Sequence, residues 1–319
     1  MTKIAERISS TPESDDFSVS VFEGLSRPSK SLPCRFFYDA TGNALFEEIT
    51  RQPEYYLTRA EVTILAANVG QILEEALDDM VLIEFGSGSS IKTEILIEQM
   101  RRLRAYLPID VSESALTDAA SRLTSRFSGL DVRPLVADFS KSVKLVPDLE
   151  ANPKLGFFPG STIGNFGPTE AIRLLRAMRG TLSPSGRLIV GVDLKKDVRR
   201  LLAAYNDAKG VTAAFNLNLL ARINRELGGD FNLLAFRHEA IYEPIEGRVV
   251  MRLVSLKDQS VRVAESRFHF RAGEMIHTED AYKYTIEQFL EIARLAGWTP
   301  KRVWRDDQGL FSVQELIIP

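Results

Sequence analysis

The chain has 319 residues, of which 45% are hydrophobic and 26% are charged, a balance typical of a folded globular protein. Its formal net charge of −3 gives no electrostatic reason to expect a nucleic-acid partner. Cys34 is the single cysteine, so an intrachain disulfide is excluded and a reducing, cytoplasmic location is expected. The histidines are too widely spaced to predict a metal site, and no apolar run is long enough to predict a membrane span.

Strands and helices alternate from residue 81, after a polar segment (residues 1–30) that we expect to be loosely held. The predicted strands are Val81–Phe85, Ala105–Asp110, Val132–Ala137, Leu155–Phe158 and Arg187–Asp193. The predicted helices between them are Ile91–Leu103, Ser112–Arg126 and Thr169–Thr181. This alternation is typical of a parallel sheet with helices on both faces.

The pattern changes after Asp193, where two helices are followed by long runs of alternating apolar and polar residues. These runs predict antiparallel strands with one solvent-exposed face. The helices are Asp197–Ala208 and Ala213–Leu227, and the strands are Phe236–Tyr242, Arg248–Ser255 and Val261–Phe270. A helix over Ile286–Ala296 then precedes a predicted terminal hairpin, 302–318. We therefore predict an α/β domain (61–195 plus 286–319) interrupted by an α+β domain (1–60 plus 196–285).

A glycine turn directly follows the first predicted strand of the α/β domain. Gly86 and Gly88 lie between Phe85 and the helix predicted from Ile91. A strand, a tight turn and a helix N-terminus together direct backbone N–H groups at one spot, which favours a nucleotide-like cofactor. The dinucleotide pattern G-x-G-x-x-G fails because Ile91 stands in place of its third glycine, and this argues against an NAD-dependent dehydrogenase.

Acidic residues near the ends of the strands favour S-adenosylmethionine (SAM). Glu84 stands two residues before the first glycine, as is common in SAM-dependent methyltransferases. Asp110 ends the second strand, where it can bind ribose hydroxyls, and Asp138 and Phe139 follow the third, where they can bind and cover an adenine. The alternative for both aspartates is helix capping or loop solvation. Lys92 either reaches the methionine carboxylate of SAM or is an exposed helix lysine.

The terminal hairpin is also typical of class I methyltransferases, so the predicted fold is a Rossmann-like class I SAM-binding domain with an inserted α+β domain. Many such enzymes that modify amines bind the acceptor after the fourth strand. Here that loop contains Gly160 and Gly164, which allow a close approach to a ligand. Asn165 offers one carbonyl acceptor and one NH₂ donor; it either binds the acceptor or closes an Asx turn.

Long and unusual motifs run from about Ser31 to the end of the chain. They are F-F-Y-D (Phe36–Asp39), P-E-Y-Y-x-T-R-A-E (Pro53–Glu61), E-F-G-S-G-S-S-x-K-T (Glu84–Thr93), G-S-T-I-G-N-F (Gly160–Phe166), A-Y-N-D-x-x-G-V-T-A-A-F-N (Ala204–Asn216) and M-I-H-T-E (Met275–Glu279). Together they closely resemble the histidine-specific methyltransferases, the Nα-methyltransferases of ergothioneine biosynthesis. The resemblance implies a SAM-dependent enzyme that methylates the α-amine of L-histidine, up to the trimethyl betaine hercynine.

The resemblance also implies roles for individual residues. The implied cofactor contacts are Gly86, Lys92, Asp110, Asp138 and Phe139, with Gly88 in the same turn. The implied acceptor contacts are Tyr55, Asn165 and Tyr205 for the carboxylate and α-amine, Tyr38 near the amine, Phe46 as an aromatic wall, Gly160 in the loop, and Met251 and Glu279 in the side-chain pocket. Asn165 and Tyr38 are the predicted catalytic residues, and the Glu279 carboxylate would bind an imidazole N–H.

One position departs from the family pattern, in which a serine that also meets the imidazole stands two places after the glutamate. Here that position is Ala281. One hydrogen bond contributes about 0.5–1.5 kcal/mol, so its loss would weaken histidine binding by roughly tenfold or less. Asp280 should point to the opposite face of a strand from Glu279 and would not replace the hydroxyl. Another amino-acid acceptor, or a non-catalytic SAM-binding protein, stays open as an alternative; a monomer is expected.

Overall fold

The structure is a computed structural model that describes residues 13–75, 78–87, 91–100 and 102–319. The helices are α1 (Glu13–Ser26), α2 (Ala40–Arg51), α3 (Tyr56–Ile72), α4 (Ile91–Ile97), α5 (Glu113–Arg126), α6 (Pro168–Leu182), α7 (Val198–Ala204), α8 (Val211–Leu227) and α9 (Ile286–Leu295). The strands are β1 (Lys30–Ser31), β2 (Met80–Phe85), β3 (Leu103–Asp110), β4 (Leu135–Val136), β5 (Lys154–Phe158), β6 (Arg187–Asp193), β7 (Phe236–Glu243), β8 (Arg248–Ser255), β9 (Gln259–Val263), β10 (Ser266–Phe270), β11 (Met275–Tyr282), β12 (Thr299–Arg305) and β13 (Phe311–Ile317).

These elements form two compact units. The first unit comprises the described residues of 57–195 together with 282–319. The second comprises the described residues up to Tyr56 together with Lys196–Ala281. No described helix combines the length and the apolar composition that crossing a bilayer requires.

The first unit is built on a seven-stranded sheet with the order β12-β13-β6-β5-β2-β3-β4. Strands β2 to β6 are parallel to one another, whereas β13 runs antiparallel to both β6 and β12. The central strands β2, β5 and β6 are buried along their whole length, which explains their nearly continuous apolar sequences. The predicted Rossmann-like fold and its terminal hairpin are therefore confirmed.

The order of the strands creates a switch point between β2 and β5. From β2 the chain moves outward through β3 and β4, and it then returns to β5 and continues to β6 on the other side. In open α/β sheets, ligands bind in the crevice at the carboxyl ends of the strands where the order reverses. The loops after β2 and β5 are therefore the expected ligand-binding loops of this unit.

The second unit contains a four-stranded sheet with the order β1-β11-β8-β7 and a separate β9-β10 hairpin. Its helix α8 packs against α2 and against β7. Aromatic side chains fill this interior: the ring centroids of Phe37 and Phe215 are 4.6 Å apart. This mixture of helices and antiparallel strands matches the α+β character predicted from the sequence.

The expectation of a loosely held N-terminal segment is wrong for residues 13–26, which form α1. Phe17, Val21 and Leu25 recur every four residues and are 1%, 0% and 1% exposed, respectively. This spacing produces one apolar face on a helix. The overall polarity of residues 1–30 hid that face.

Three further elements differ from the prediction. The single strand predicted over Val261–Phe270 is the β9-β10 hairpin, which turns at Ala264 with a φ of +48°. The buried positions are Val261 and Val263 in β9 but Phe268 and Phe270 in β10, so the alternation shifts by one residue at the turn. The helix predicted to continue to Leu103 ends at Ile97, since Leu103 already begins β3. The strand predicted from Val132 shortens to Leu135–Val136.

Candidate active site

The carboxyl ends of neighbouring parallel strands carry the residues predicted to bind the cofactor. Gly86 follows β2, Asp110 ends β3 and Asp138 follows β4. Pairing of β2 with β3 and of β3 with β4 therefore places these residues along one edge of the sheet. Gly88 lies outside the described residues.

The turn after β2 is covered by an aromatic ring. Gly86 has a φ of +72°, a conformation that glycine adopts without the steric cost of a side chain. A Cβ at this glycine would lie 3.5 Å from the Phe139 ring. The ring also meets Phe85 and Phe158, at centroid distances of 6.5 and 5.9 Å. Phe139 is thus fixed beside the glycine turn, where a ring can cover the face of a planar ligand.

The two aspartates at this edge make hydrogen bonds within their own loops. Asp110 Oδ1 accepts the N–H of Ser112 at 3.0 Å, and Asp138 Oδ1 accepts the N–H of Ser140 at 2.9 Å. The loop role considered as an alternative is therefore realised. It does not preclude ligand binding, because a carboxylate has two oxygens and about four acceptor sites.

Two buried carboxylates form hydrogen bonds near the same edge of the sheet. Glu84 accepts a hydrogen bond from the Tyr106 hydroxyl. Glu61 lies 2.5 Å from Lys92 Nζ, and both of its oxygens accept the N–H of Gly160, at 3.0 and 2.9 Å. The Lys92 side chain is only 17% exposed, so the alternative of an exposed helix lysine is wrong. Sequence reasoning placed Lys92 here but missed Glu61, although that residue ends one of the quoted motifs.

The loop after β5 leads through two left-handed residues into a short 3-10 helix, Thr162–Asn165. Gly160 has a φ of +82° and Ser161 one of +58°. The Ser161 hydroxyl oxygen accepts the N–H of Asp193 at 2.9 Å, which ties the loop to the end of β6. Asn165 is partly exposed, and its side-chain amide makes no hydrogen bond with the residues that the structure describes. The Asx turn considered as the alternative is therefore not formed, and the amide is available to a ligand.

Four residues predicted to bind the acceptor join in one aromatic cluster of the second unit. The ring of Phe46 lies 5.7 Å from Tyr38 and 6.2 Å from Tyr55, and Tyr55 lies 6.5 Å from Tyr205. Phe215 completes the cluster at 5.7 Å from Tyr38. Phe215 was not predicted, although it belongs to the same motif as Tyr205.

The residues predicted for the side-chain pocket lie on neighbouring strands. Met251 is on β8 and Glu279 on β11, with exposures of 2% and 9%. Ala281 shares the face of Glu279 by strand alternation and is 3% exposed. Asp280, on the opposite face, pairs with Arg248 at 2.9 Å.

The charge of Glu279 acts on two neighbouring side chains. Burial, followed by this negative charge, raises the pKa of Tyr38 well above its ordinary value. The same two causes raise the pKa of Cys34 to about 12. Both groups are therefore neutral near pH 7, and Tyr38 is a phenol rather than a phenolate. No group of three or more metal-binding side chains occurs in the described part of the chain.

A partly buried histidine binds the backbone of Tyr205. Asn216 Nδ2 lies 2.8 Å from His238 Nδ1, and His238 Nε2 lies 2.9 Å from the Tyr205 carbonyl oxygen. The asparagine amide donates to Nδ1, so Nε2 carries the proton and donates to the carbonyl. Burial lowers the pKa of His238, which favours this neutral form. Sequence reasoning missed this support, which connects residues 205, 216 and 238.

Comparison with known proteins identifies the family. The family model for SAM-dependent, histidine-specific methyltransferases matches residues 17–317. The histidine N-alpha-methyltransferase of Mycolicibacterium smegmatis is 40% identical over 295 residues, covering 91% of each chain. Its namesake from Mycobacterium tuberculosis is 39% identical, covering 92% of each chain. Ergothioneine biosynthesis protein 1 of Neurospora crassa is 28% identical over 89% of this chain and 33% of its own length.

A solved structure supports the fold independently. The crystal structure of a SAM-dependent methyltransferase from Clostridium acetobutylicum superposes with a TM-score of 0.50 at 13% identity, covering 86% of this chain and 97% of that one. At this identity the match shows the fold alone. The resemblance drawn from the sequence motifs is confirmed by the family match: this chain belongs to the histidine-specific, SAM-dependent methyltransferases.

Proposed function

We propose that this protein transfers methyl groups from SAM to the α-amine of L-histidine and yields the trimethyl betaine hercynine for ergothioneine biosynthesis. The observation that carries the proposal is the aromatic cluster of the second unit. In this cluster, burial and the negative charge of Glu279 raise the pKa of Tyr38. The family and the names of the mycobacterial relatives support the same acceptor. An Nα-methyltransferase for another amino acid is the second candidate, because of Ala281.

The residues along the carboxyl edge of the first sheet fit SAM. We assign the adenosyl part to Gly86, Asp110, Asp138 and Phe139, because a ring and two carboxylates adjoin a glycine turn with positive φ. The Lys92 ammonium would bind the methionine carboxylate. When bound, SAM supplies an electrophilic methyl group on a cationic sulfonium.

The family resemblance assigns the acceptor amine to three polar side chains. Tyr55 and Tyr205 are assigned to the carboxylate and α-amine, as is Asn165, whose amide has no partner among the described residues. Free α-amines titrate near pH ~8, so the amine must lose a proton before it can attack. Tyr38 stays a phenol because its pKa is raised; it can accept an amine N–H and orient the lone pair, but it is not an anionic base.

Repeated methylation converts the amine into a quaternary ammonium, and the aromatic cluster suits that product. Rings of Tyr38, Phe46 and Tyr205 offer π faces, each contributing about 0.5–2 kcal/mol to a cation that lies over it. Asn165 is neutral and can donate or accept, so the loss of an amine N–H in the last round leaves no buried charge unpaired. Three successive transfers are therefore compatible with these side chains.

Selectivity for histidine would come from Glu279 and Met251. The Glu279 carboxylate can accept an imidazole N–H, while Met251 provides an apolar wall. We expect Ala281→Ser to tighten histidine binding by up to about tenfold, since it restores one hydrogen bond of about 0.5–1.5 kcal/mol. Weaker or unchanged binding in this variant would indicate that position 281 does not face the imidazole.

Methyl transfer to histidine, followed by mass spectrometry, tests the activity and counts the methyl groups. A panel containing other aromatic and N-methylated amino acids distinguishes the second candidate. Calorimetry with S-adenosylhomocysteine, then histidine, tests the pocket: Glu279→Ala should weaken histidine binding and leave the first ligand unaffected. Methylation of another amino acid but not histidine would reject the histidine assignment and retain the enzyme class.

We also propose that the protein works as a monomer in the cytoplasm, without a nucleic-acid or membrane partner. The net charge of −3 argues against a nucleic-acid partner. The single cysteine is compatible with a reducing cytoplasm. Light scattering at micromolar concentration checks the monomer; a mass twice the 35.7 kDa of the chain would reject it.

A further inference from the structure

One buried carboxylate contacts both ligand-binding loops of the first unit. Glu61 lies on α3, and its side chain is 0% exposed. Lys92 Nζ, which follows the turn after β2, lies 2.5 Å from Glu61 Oε2. The N–H of Gly160, in the loop after β5, donates to both carboxylate oxygens at 3.0 and 2.9 Å.

Strand β6 has a glycine where the Glu61 carboxylate lies against it. A Cβ at Gly191, in β6, would lie 2.0 Å from Glu61 Oε1 and 3.0 Å from its carboxyl carbon. A glycine is therefore required where the carboxylate lies against the backbone. Because an unpaired buried charge is very costly, the ammonium of Lys92 and the amide of Gly160 are necessary partners of Glu61.

The two partners of Glu61 have different assigned tasks. Lys92 is assigned to the carboxylate of the cofactor, and an ammonium has three N–H donors, so it can bind Glu61 and a ligand together. Gly160 begins the loop that ends at Asn165, which is assigned to the amine. Thr162 donates to the carbonyl of Pro159 at 2.9 Å and stiffens the turn between them.

We propose that Glu61 is a positioning residue that couples the cofactor loop after β2 to the acceptor loop after β5. It orients Lys92 for an anionic ligand and fixes the N-terminal end of the segment that carries Asn165. Binding of a ligand carboxylate at Lys92 then affects the acceptor loop through the Glu61 side chain. Such coupling is reciprocal, so the state of the acceptor loop also affects ligand binding at Lys92. The roles of Lys92 and Asn165 rest on the proposed function, whereas the contacts of Glu61 do not.

Glu61→Gln tests the coupling because it keeps the shape and one acceptor oxygen but removes the charge. Charge-assisted hydrogen bonds of this kind predict a loss of about 10- to 100-fold in affinity for S-adenosylhomocysteine. Hydrogen exchange at residues 160–165 should become faster, and the protection that this ligand gives the segment in the parent protein should disappear. In the Lys92→Met background, Glu61→Gln should cost little further affinity, because the two residues act as one unit.

Glu315→Gln is the matched control. The Glu315 side chain, on β13, is also fully buried, and it pairs with Arg187 at 2.7 Å. Arg187 begins β6, so this pair lies away from the end of β6 that carries Gly191. This variant should lose stability but keep ligand affinity and protection at residues 160–165. The proposal is overturned if Glu61→Gln binds S-adenosylhomocysteine within about twofold of the parent, or if its loss merely adds to that of Lys92→Met. Failure of the parent protein to methylate histidine would reject the proposed function alone, since binding and exchange still test Glu61.

Discussion

Gly191→Ala is a substitution whose effect can be worked out from the structure. The added Cβ would lie 2.0 Å from Glu61 Oε1, 3.0 Å from the carboxyl carbon and 3.1 Å from Phe311 Cζ. No carbon and oxygen atoms remain non-bonded at 2.0 Å, so either Glu61 leaves its position or β6 moves. If Glu61 moves, its contacts with Lys92 and Gly160 are lost.

The cost follows from two terms. Overpacking a well-packed interior costs about 1–3 kcal/mol, and losing charge-assisted hydrogen bonds costs about 1.5–3 kcal/mol each. We expect the free energy of unfolding to fall by about 3–6 kcal/mol, a large part of the ~5–15 kcal/mol typical of a domain. The stabilisation of about 0.4–1 kcal/mol that alanine gives by restricting the unfolded chain does not offset this loss.

Guanidinium denaturation measures the effect, and Gly70→Ala is the matched control. Gly70 lies on α3, and a Cβ there would meet nothing within 4 Å, so alanine should stabilise that variant by about 0.5–1 kcal/mol. Adding Glu61→Ala to Gly191→Ala removes the clash and should restore part of the lost stability. The reasoning is refuted if Gly191→Ala unfolds like the parent protein, or if the double variant shows the full sum of both losses.

Three further predictions concern other parts of the chain. Phe17→Ala should destabilise the second unit by about 3–5 kcal/mol, as for other buried phenylalanines; a thermal melt unchanged by the substitution would contradict the packing of α1. Phe139→Ala should weaken binding of S-adenosylhomocysteine in calorimetry by about tenfold, the effect of losing an aromatic pair beyond area burial, and equal affinity would show that the ring does not cover the ligand. Because burial lowers the pKa of His238, its stabilising contribution is full above the unfolded pKa near 6.5 and is lost as the pH falls through the lower folded value. Urea unfolding between about pH 7.5 and 5 should therefore show a steeper loss in the parent than in His238→Gln, and equal slopes would contradict it.

Local sequence patterns were sufficient for much of the first unit. The apolar run Val81–Phe85 and the turn at Gly86 predicted a buried parallel strand and a ligand-binding loop, because both depend on neighbouring residues. The same held for the terminal hairpin. The aromatic residues Tyr38, Phe46 and Tyr205 were identified from resemblance of their motifs, since periodicity does not indicate which rings meet.

Tertiary structure alone decided which distant groups meet. Glu61 and Gly160 are 99 residues apart in the chain, and no periodic pattern relates a carboxylate on one helix to an amide in a loop. A sequence indicates which face of a helix or strand is buried, but only packing determines what that face contacts. For that reason the chain by itself placed Lys92 at the cofactor edge, and the fold was needed to show that a buried carboxylate fixes it there.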